Sequence, residues 1–364
     1  MDNPFKNTIT DEAWAASEKR YAAFYEGEVA DRPPVCIYLN RGLRDEGRPP
    51  AVTYASEKER WTDVKRRAAD SAFQIRNTEF VSDALPLCWP NLGPEIFSAY
   101  CGAPYIFGET TAWSEPCIFD WEKDADSAVV DYSNYYFKLT EEFTRELLSY
   151  SKGSFAVGFT DFHPGGDHLA ALRDPQTLCT DLYDYPEHVK AKLASSYAEY
   201  FAAYEHFYDM MKQSGAAHTT SWMPLLAEGR VYPVSCDFSC MISAAMFEEF
   251  FLDGIIEECN NLEKSIYHLD GPDALIHLDN LLKIKKLNAV QWVMGAGNEG
   301  FEKWVGVYKK IQRAKKGIQL GVTIAELDSV FANLKPDGIW FSNIRDANTK
   351  EDADYAIKRI ANWK

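Results

Sequence analysis

Two neighbouring stretches decide the fold: Ser265-Ile-Tyr-His268-Leu-Asp270-Gly-Pro-Asp-Ala-Leu-Ile-His277-Leu-Asp279 and, shortly after, Ala289-Val-Gln-Trp-Val-Met-Gly-Ala-Gly297. An apolar run ends in His268 and Asp270, and Gly271 and Pro272 then turn the chain into a helix. The second apolar run ends in Gln291 and Trp292. Polar side chains at the carboxyl ends of successive buried strands mark a ligand site in α/β folds.

Working outward, the C-terminal half predicts four strand–helix units. Their strands are 265–268, 289–293, 317–322 and 338–342, and their helices begin near Pro272, Glu299, Thr323 and Asn348. Such alternation implies parallel strands joined by right-handed crossovers. It favours a (β/α)8 TIM barrel. The alternative is an open doubly wound sheet, but no Gly-x-Gly-x-x-Gly follows the first strand.

Upstream, residues 9–27 predict an amphipathic helix capped by Thr10 or Asp11, with Trp14, Tyr21, Ala22 and Phe24 on its apolar side. It forms an N-terminal helical arm over residues 1–30, ahead of one barrel domain over 31–364. Arg32 to Leu39 reads as the first strand. Helices are expected at 57–79, 133–151 and 186–214, strands at 155–159 and 232–236, and a helix from Ser243 to about 263.

The chain of 364 residues carries 38 basic and 55 acidic side chains, a net charge of -17. That balance argues against nucleic acid, whose phosphates recruit Lys and Arg. No run reaches the roughly 18 apolar residues of a membrane helix. The start, Met1-Asp-Asn-Pro-Phe-Lys, lacks a signal-peptide layout, so a cytoplasmic protein is expected. The eight cysteines form no CxxC pair and read mostly as small core residues.

His268 and Asp270 stand two apart, which on a strand puts them on one side. Together they can hold a divalent metal or act as an acid–base pair. The bland alternative has Asp270 capping the next helix and His268 bonded in the core; Gln291 and Trp292, repeating the arrangement one strand later, favour function. His277 sits within a helix and is expected to be packed or on the surface. Cys236, Asp237 and Cys240 follow another strand. A thiolate there could join His268 on zinc, or the sulfurs could be inert. In the Thr160–His168 loop, Asp161 and His163 are candidate substrate contacts and Asp167 a helix cap. Asp83 precedes an apolar run. Trp89, Trp113, Trp222, Trp292 and Trp340 lie near predicted strand ends or loops, and some of them should line a cavity for a flat or partly apolar substrate.

Several motifs, in order, resemble the uroporphyrinogen decarboxylase superfamily. Glu79-Phe-Val-Ser-Asp83-Ala-Leu looks like its acid-bearing segment. Asp174-Pro-Gln-Thr-Leu-Cys-Thr-Asp-Leu-Tyr-Asp-Tyr-Pro186-Glu187 is similar to its Asp-Pro-Glu to Pro-Glu stretch. Cys236-Asp-Phe-Ser-Cys-Met-Ile-Ser243-Ala-Ala-Met-Phe247 resembles its Asp-to-Ser-to-Phe motif. Tyr267-His268-Leu-Asp270-Gly271 falls where the family has a His-bearing strand end. The resemblance spans roughly residues 30 to 360 and implies a (β/α)8 barrel with its site at the C-terminal mouth.

One branch of that superfamily decarboxylates uroporphyrinogen without a cofactor, through an Arg-Gln-Ala-Gly-Arg loop. Here the loop reads Asn40-Arg41-Gly42-Leu-Arg44, and the motif is absent. The other branch moves methyl groups between a corrinoid protein and a second substrate, on zinc held by His-x-Cys and a distant Cys. Here the pair is His268-Leu-Asp270, and no Cys follows Cys259. The resemblance therefore implies either a mixed zinc site of His268, Asp270 and Cys236 or Asp237, or direct binding of substrate by these groups. A His/carboxylate set is harder than His/Cys/Cys and suits methyl transfer from oxygen or nitrogen.

The expectation is a methyltransferase or demethylase of a small molecule, with cobalamin arriving on a partner protein. His268, Asp270 and Asp83 would be catalytic, and Asp161, His163, Gln291, Trp292 and Arg41 would contact substrate. Paired barrels are common in the superfamily, so a homodimer is expected. The runner-up is a cofactor-free decarboxylase or lyase of a smaller carboxylic acid, which needs Arg41 or Arg44 in the cavity. A non-catalytic ligand-binding protein is the third class.

Overall fold

Five strands lie in parallel in the order Ile339–Ile344, Gly317–Val322, Ala289–Val293, Lys264–Asp270, Val231–Ser235. The structure is a computed structural model that describes residues 3–42 and 47–364; Arg44 lies outside them. The strands are short runs rich in Val, Ile and Leu, as expected where helices cover a parallel sheet. The crossovers contain the helices Leu278–Lys283, Val305–Arg313 and Leu327–Asn333, each entered through a 3-10 turn, and Lys350–Ala361 follows the last strand. The α/β alternation expected of the C-terminal half is present.

Beyond Ile339–Ile344, the edge of this sheet, the pairing narrows to one bridge. Phe341 N–H donates to Pro34 O (2.9 Å), and Val35 bridges Phe341 in parallel, which sets Cys36–Asn40 beside it. Farther round, Asp83 N–H donates to Val35 O (2.9 Å), Leu87–Cys88 pairs in parallel with Ala156–Val157, and Phe159 N–H donates to Thr220 O (2.9 Å).

Two expected helices are interrupted. The 57–79 helix divides at Asp63 into Glu57–Thr62 and Val64–Asn77, because the Asp63 carboxylate accepts from Arg66 N–H (3.1 Å) and caps the second piece. It then stops at Asn77. Thr78–Ser82, rich in β-formers, instead pairs antiparallel with Cys36–Asn40. The helix expected from Ser243 to 263 breaks at Phe251 into Ala244–Phe250 and Leu252–Asn261.

The N-terminal helix runs from Asp11 to Tyr25, with Thr10 Oγ1 accepting from Ala13 N–H (3.3 Å). Its buried Trp14, Tyr21, Phe24 and Tyr25 pack with Cys36, Val231, Ile266, Ala289 and Trp340. Those residues lie at or near the starts of their strands, so the helix closes the amino-terminal end of the sheet. Burying each such aromatic contributes about 2 kcal/mol. The opposite, carboxyl-terminal end stays open. Among the described residues no helix is long and apolar enough to cross a membrane.

Candidate functional site

The strand register builds the site. His268 faces Gln291 on one neighbouring strand and Ser235 on the other. Its Nδ1 donates to Gln291 Oε1 at 2.5 Å. That bond leaves Nε2 as the free lone pair, and Nε2 stands 3.9 Å from Asp237 Oδ1. Asp237 is positioned in turn by Ser235 Oγ, which donates to Oδ1 at 3.0 Å. Asp270 follows His268 at the strand end. Gly271 then turns the chain at φ +80°, a conformation that suits glycine and lets the strand stop there. Asp237, His268 and Asp270 each offer a ligand atom, and these atoms lie within 4.8 Å of one another.

Two cavities meet at this cluster. The first, about 590 Å³, is lined by Glu95, Asp161, Asp167, Asp174 and Asp237, with His163, His268, Trp222 and Phe238. Among the described residues no Lys or Arg lines it. The second, about 540 Å³, lies over Asp270, Gln291, Trp292 and Gln319, with Arg345 on its wall.

The acidic cavity perturbs its own groups. Burial, and then the charge of Asp237, push the Asp167 carboxyl up to about 6. Burial and Asp167 also raise Glu95. For His163, burial works downward, but its hydrogen bond to Asp161 (2.9 Å) and the nearby carboxylates outweigh it and raise the imidazole. Trp222 meets the His268 ring edge-on at 5.3 Å. The cavity is therefore a negatively charged chamber suited to a cation or a neutral polar molecule.

The structure gathers His268, Asp270, Asp237, Gln291, Asp161, His163 and Trp292 around the open end of the sheet. Trp292 is mostly buried against Trp304 (4.9 Å) and touches only the second cavity.

Three expected residues stand elsewhere. Asp83 is fully buried near the closed, amino-terminal end, where it holds Arg32 (2.6 Å), Arg20 (2.8 Å), Ser17 Oγ (2.8 Å) and Val35 N–H (2.9 Å). With its oxygens so engaged it clamps the arm and serves no substrate. Arg41 is exposed and lines neither cavity. Cys236 is buried, and Gly166, lacking a Cβ, lets a helix close over its sulfur; a Cβ there would come within 2.7 Å. The Cys236 sulfur stands outside the cluster of Asp237, His268 and Asp270, and burial, then Asp167 and Asp237, hold that thiol well above its ordinary range. His277 is a core residue whose Nε2 donates to Ser239 O (2.9 Å). Glu95 and Asp174 were not anticipated as cavity residues, and Asp167 was expected only as a cap; it accepts instead from Phe238 N–H across the cavity wall (2.8 Å).

No family model and no curated protein matches the sequence. Among solved structures the chain is similar to a methyltransferase from Methanosarcina mazei, with a TM-score of 0.60 and 12% identity over 94% of this chain and 97% of that one. At that identity the likeness is one of fold, and the chain has the fold of a methyltransferase.

Proposed function

We propose that the chain is a metal-dependent methyltransferase of the uroporphyrinogen decarboxylase superfamily, its parallel strands closed into a (β/α)8 barrel. It would transfer a methyl group between a neutral or cationic small molecule and a corrinoid carried by a partner protein. The observation that carries this reading is the convergence of Asp237, His268 and Asp270 at the open strand ends of a methyltransferase-like fold.

The donor set fits a divalent ion. One imidazole and two carboxylates are acceptable ligands for zinc, with no thiolate to soften it. His268 Nε2, Asp237 and Asp270 would hold the ion, with Gln291 orienting the ring. Bound there, a divalent cation supplies Lewis acidity to the atom that gives up or takes the methyl group. Asp167, on the wall of the same chamber, would deliver a proton to a heteroatom that has lost its methyl. Asp161 fixes the His163 ring, and Trp222 lines the chamber edge-on to His268.

The run Asp161-Phe-His163-Pro-Gly-Gly166 has the Asp-x-His-x-x-Gly spacing of a corrinoid-binding loop. However, Asp161 occupies Nε2 of His163 and Nδ1 is sealed from solvent, so neither nitrogen is offered to a cobalt ion. This supports delivery of cobalamin by a partner. Decarboxylation of a small acid has less support, because a carboxylate substrate would meet five acids and, among the described residues, no lining cation.

The test supplies cob(I)alamin, zinc and a panel of methyl ethers and methylated amines, and follows methylcobalamin by its absorbance. Methylcobalamin should form with at least one donor and fall by about a hundredfold or more in His268→Ala, as for loss of a direct metal ligand. Release of carbon dioxide from a small acid without metal or cobalamin would overturn the proposal.

A further inference from the structure

A third cavity, about 590 Å³, has the opposite character from the acidic one. It sits over the Leu87–Cys88 strand and one side of the Val64–Asn77 helix, and Arg60, Arg66, Arg67, Asp70, Trp89 and Asn91 are on its wall. Trp89 and Asn91 line it, whereas Pro94 and Glu95 line the acidic chamber, so one short segment divides the two.

Its arginines are not equivalent. Arg60 Nε donates to Glu57 (2.7 Å), and Arg66 Nε to Asp70 (2.7 Å). Each of those charges is balanced. Arg67 pairs with no carboxylate among the described residues. Its Nη1 donates to Trp61 O (2.8 Å), and its guanidinium lies over the Trp61 ring at 4.9 Å and the Phe143 ring at 5.0 Å. The rings hold the group in place but supply little counter-charge. Burial, and then Arg60, pull Arg67 down to about 10, the direction expected of a desolvated cation without an anion. An unpaired, partly buried charge is costly to a fold. On a chain of net charge -17 it is also unexpected.

We propose that this cavity binds the anionic group, a phosphate or carboxylate, of a small molecule, with Arg67 as its counter-ion. A guanidinium fork with Nε and Nη2 unused matches either anion in a bidentate manner. Trp89, Tyr54 and the apolar wall of Val52, Ile75 and Leu87 suit a partly apolar body behind that group. The proposal does not depend on the metal cluster or on methyl transfer.

The test titrates the full chain, in a buffer free of other oxyanions, with inorganic phosphate and separately with succinate, and reads heat and thermal unfolding. Saturable binding of at least one is expected, and the preferred anion identifies the group. Arg67→Met should weaken it by about tenfold or more, equivalent to about 1.4 kcal/mol. Arg67→Lys keeps the charge on a flexible stem and should bind phosphate better than Arg67→Met does, which separates lost charge from lost packing. Absence of binding by both anions in the wild-type chain would overturn the proposal, as would equal affinity in the wild type and Arg67→Met.

Discussion

His268 Nδ1 and Gln291 Oε1 lie 2.5 Å apart on adjacent parallel strands, as register partners. The contact sets which imidazole nitrogen is free and aims it at Asp237. Replacing Gln291 with Leu removes the acceptor and little else. Zinc affinity, measured by competition with a chromogenic chelator, should fall about 10- to 100-fold, the usual effect of removing a ligand's hydrogen-bond partner. Unchanged affinity would show that Gln291 does not orient the ring.

Asp167 gives a stability signature in metal-free protein. Its carboxyl is raised to about 6 in the folded state, chiefly by burial and next by Asp237. The unfolded chain therefore ionises first as pH rises. The cost is absent below pH about 4, grows between about 4 and 6, and is full above that. Asp167→Asn keeps an oxygen for Phe238 N–H and loses the charge. It should be more stable than the wild type at pH 8, by about 1–3 kcal/mol, and equal to it near pH 4. Urea unfolding at the two pH values checks this, and a difference independent of pH would refute it.

Asp83 behaves in the opposite sense. Burial pushes its carboxyl up, but Arg32 and Arg20 outweigh burial and lower it. Its stabilisation is present above the ordinary carboxylate range and is lost as pH falls through the lowered value. Asp83→Ala strands Arg32 and leaves Arg20 only its pair with Asp31, and it should cost about 3–5 kcal/mol. Zinc affinity of the folded variant should match the wild type, because Asp83 stands near the other end of the strands. Loss of metal binding in a fully folded variant would return Asp83 to the site.

His163 reports the Asp161 contact. Its raised affinity for a proton depends on that hydrogen bond and on neighbouring acids. The stabilisation is complete below the ordinary imidazole range and disappears as pH climbs through the raised folded value. In Asp161→Asn the His163 titration, followed by NMR, should move to lower pH. No movement would mean that the pair does not form in solution.

Much of this was legible in the sequence, for identifiable reasons. Ala289–Val293 is a short apolar run followed by glycines, so it announces a buried strand. His268 and Gln291 stand out because a polar side chain at the end of such a run faces an opening. The arm was legible from Thr10 and its aromatic spacing. Contacts between distant segments were not. Asp83 meets Arg20 and Arg32 across separations of 63 and 51 residues, which no local pattern encodes. Cys236 had plausible ligand spacing, but Gly166 buries its sulfur from another segment. Glu95, Asp167 and Asp174 reach the acidic chamber by the paths of separate loops and helix ends. The strand Thr78–Ser82 was hidden because it continues directly from a helix.

Metal stoichiometry tests the central claim most directly. Protein equilibrated with zinc, freed of excess ion and measured by inductively coupled plasma mass spectrometry should carry about one ion per chain. His268→Ala and Asp237→Asn should each lose most of it, while Cys236→Ser should keep it. A wild-type chain that retains no divalent ion, or a His268→Ala chain that retains as much as the wild type, would contradict the assignment.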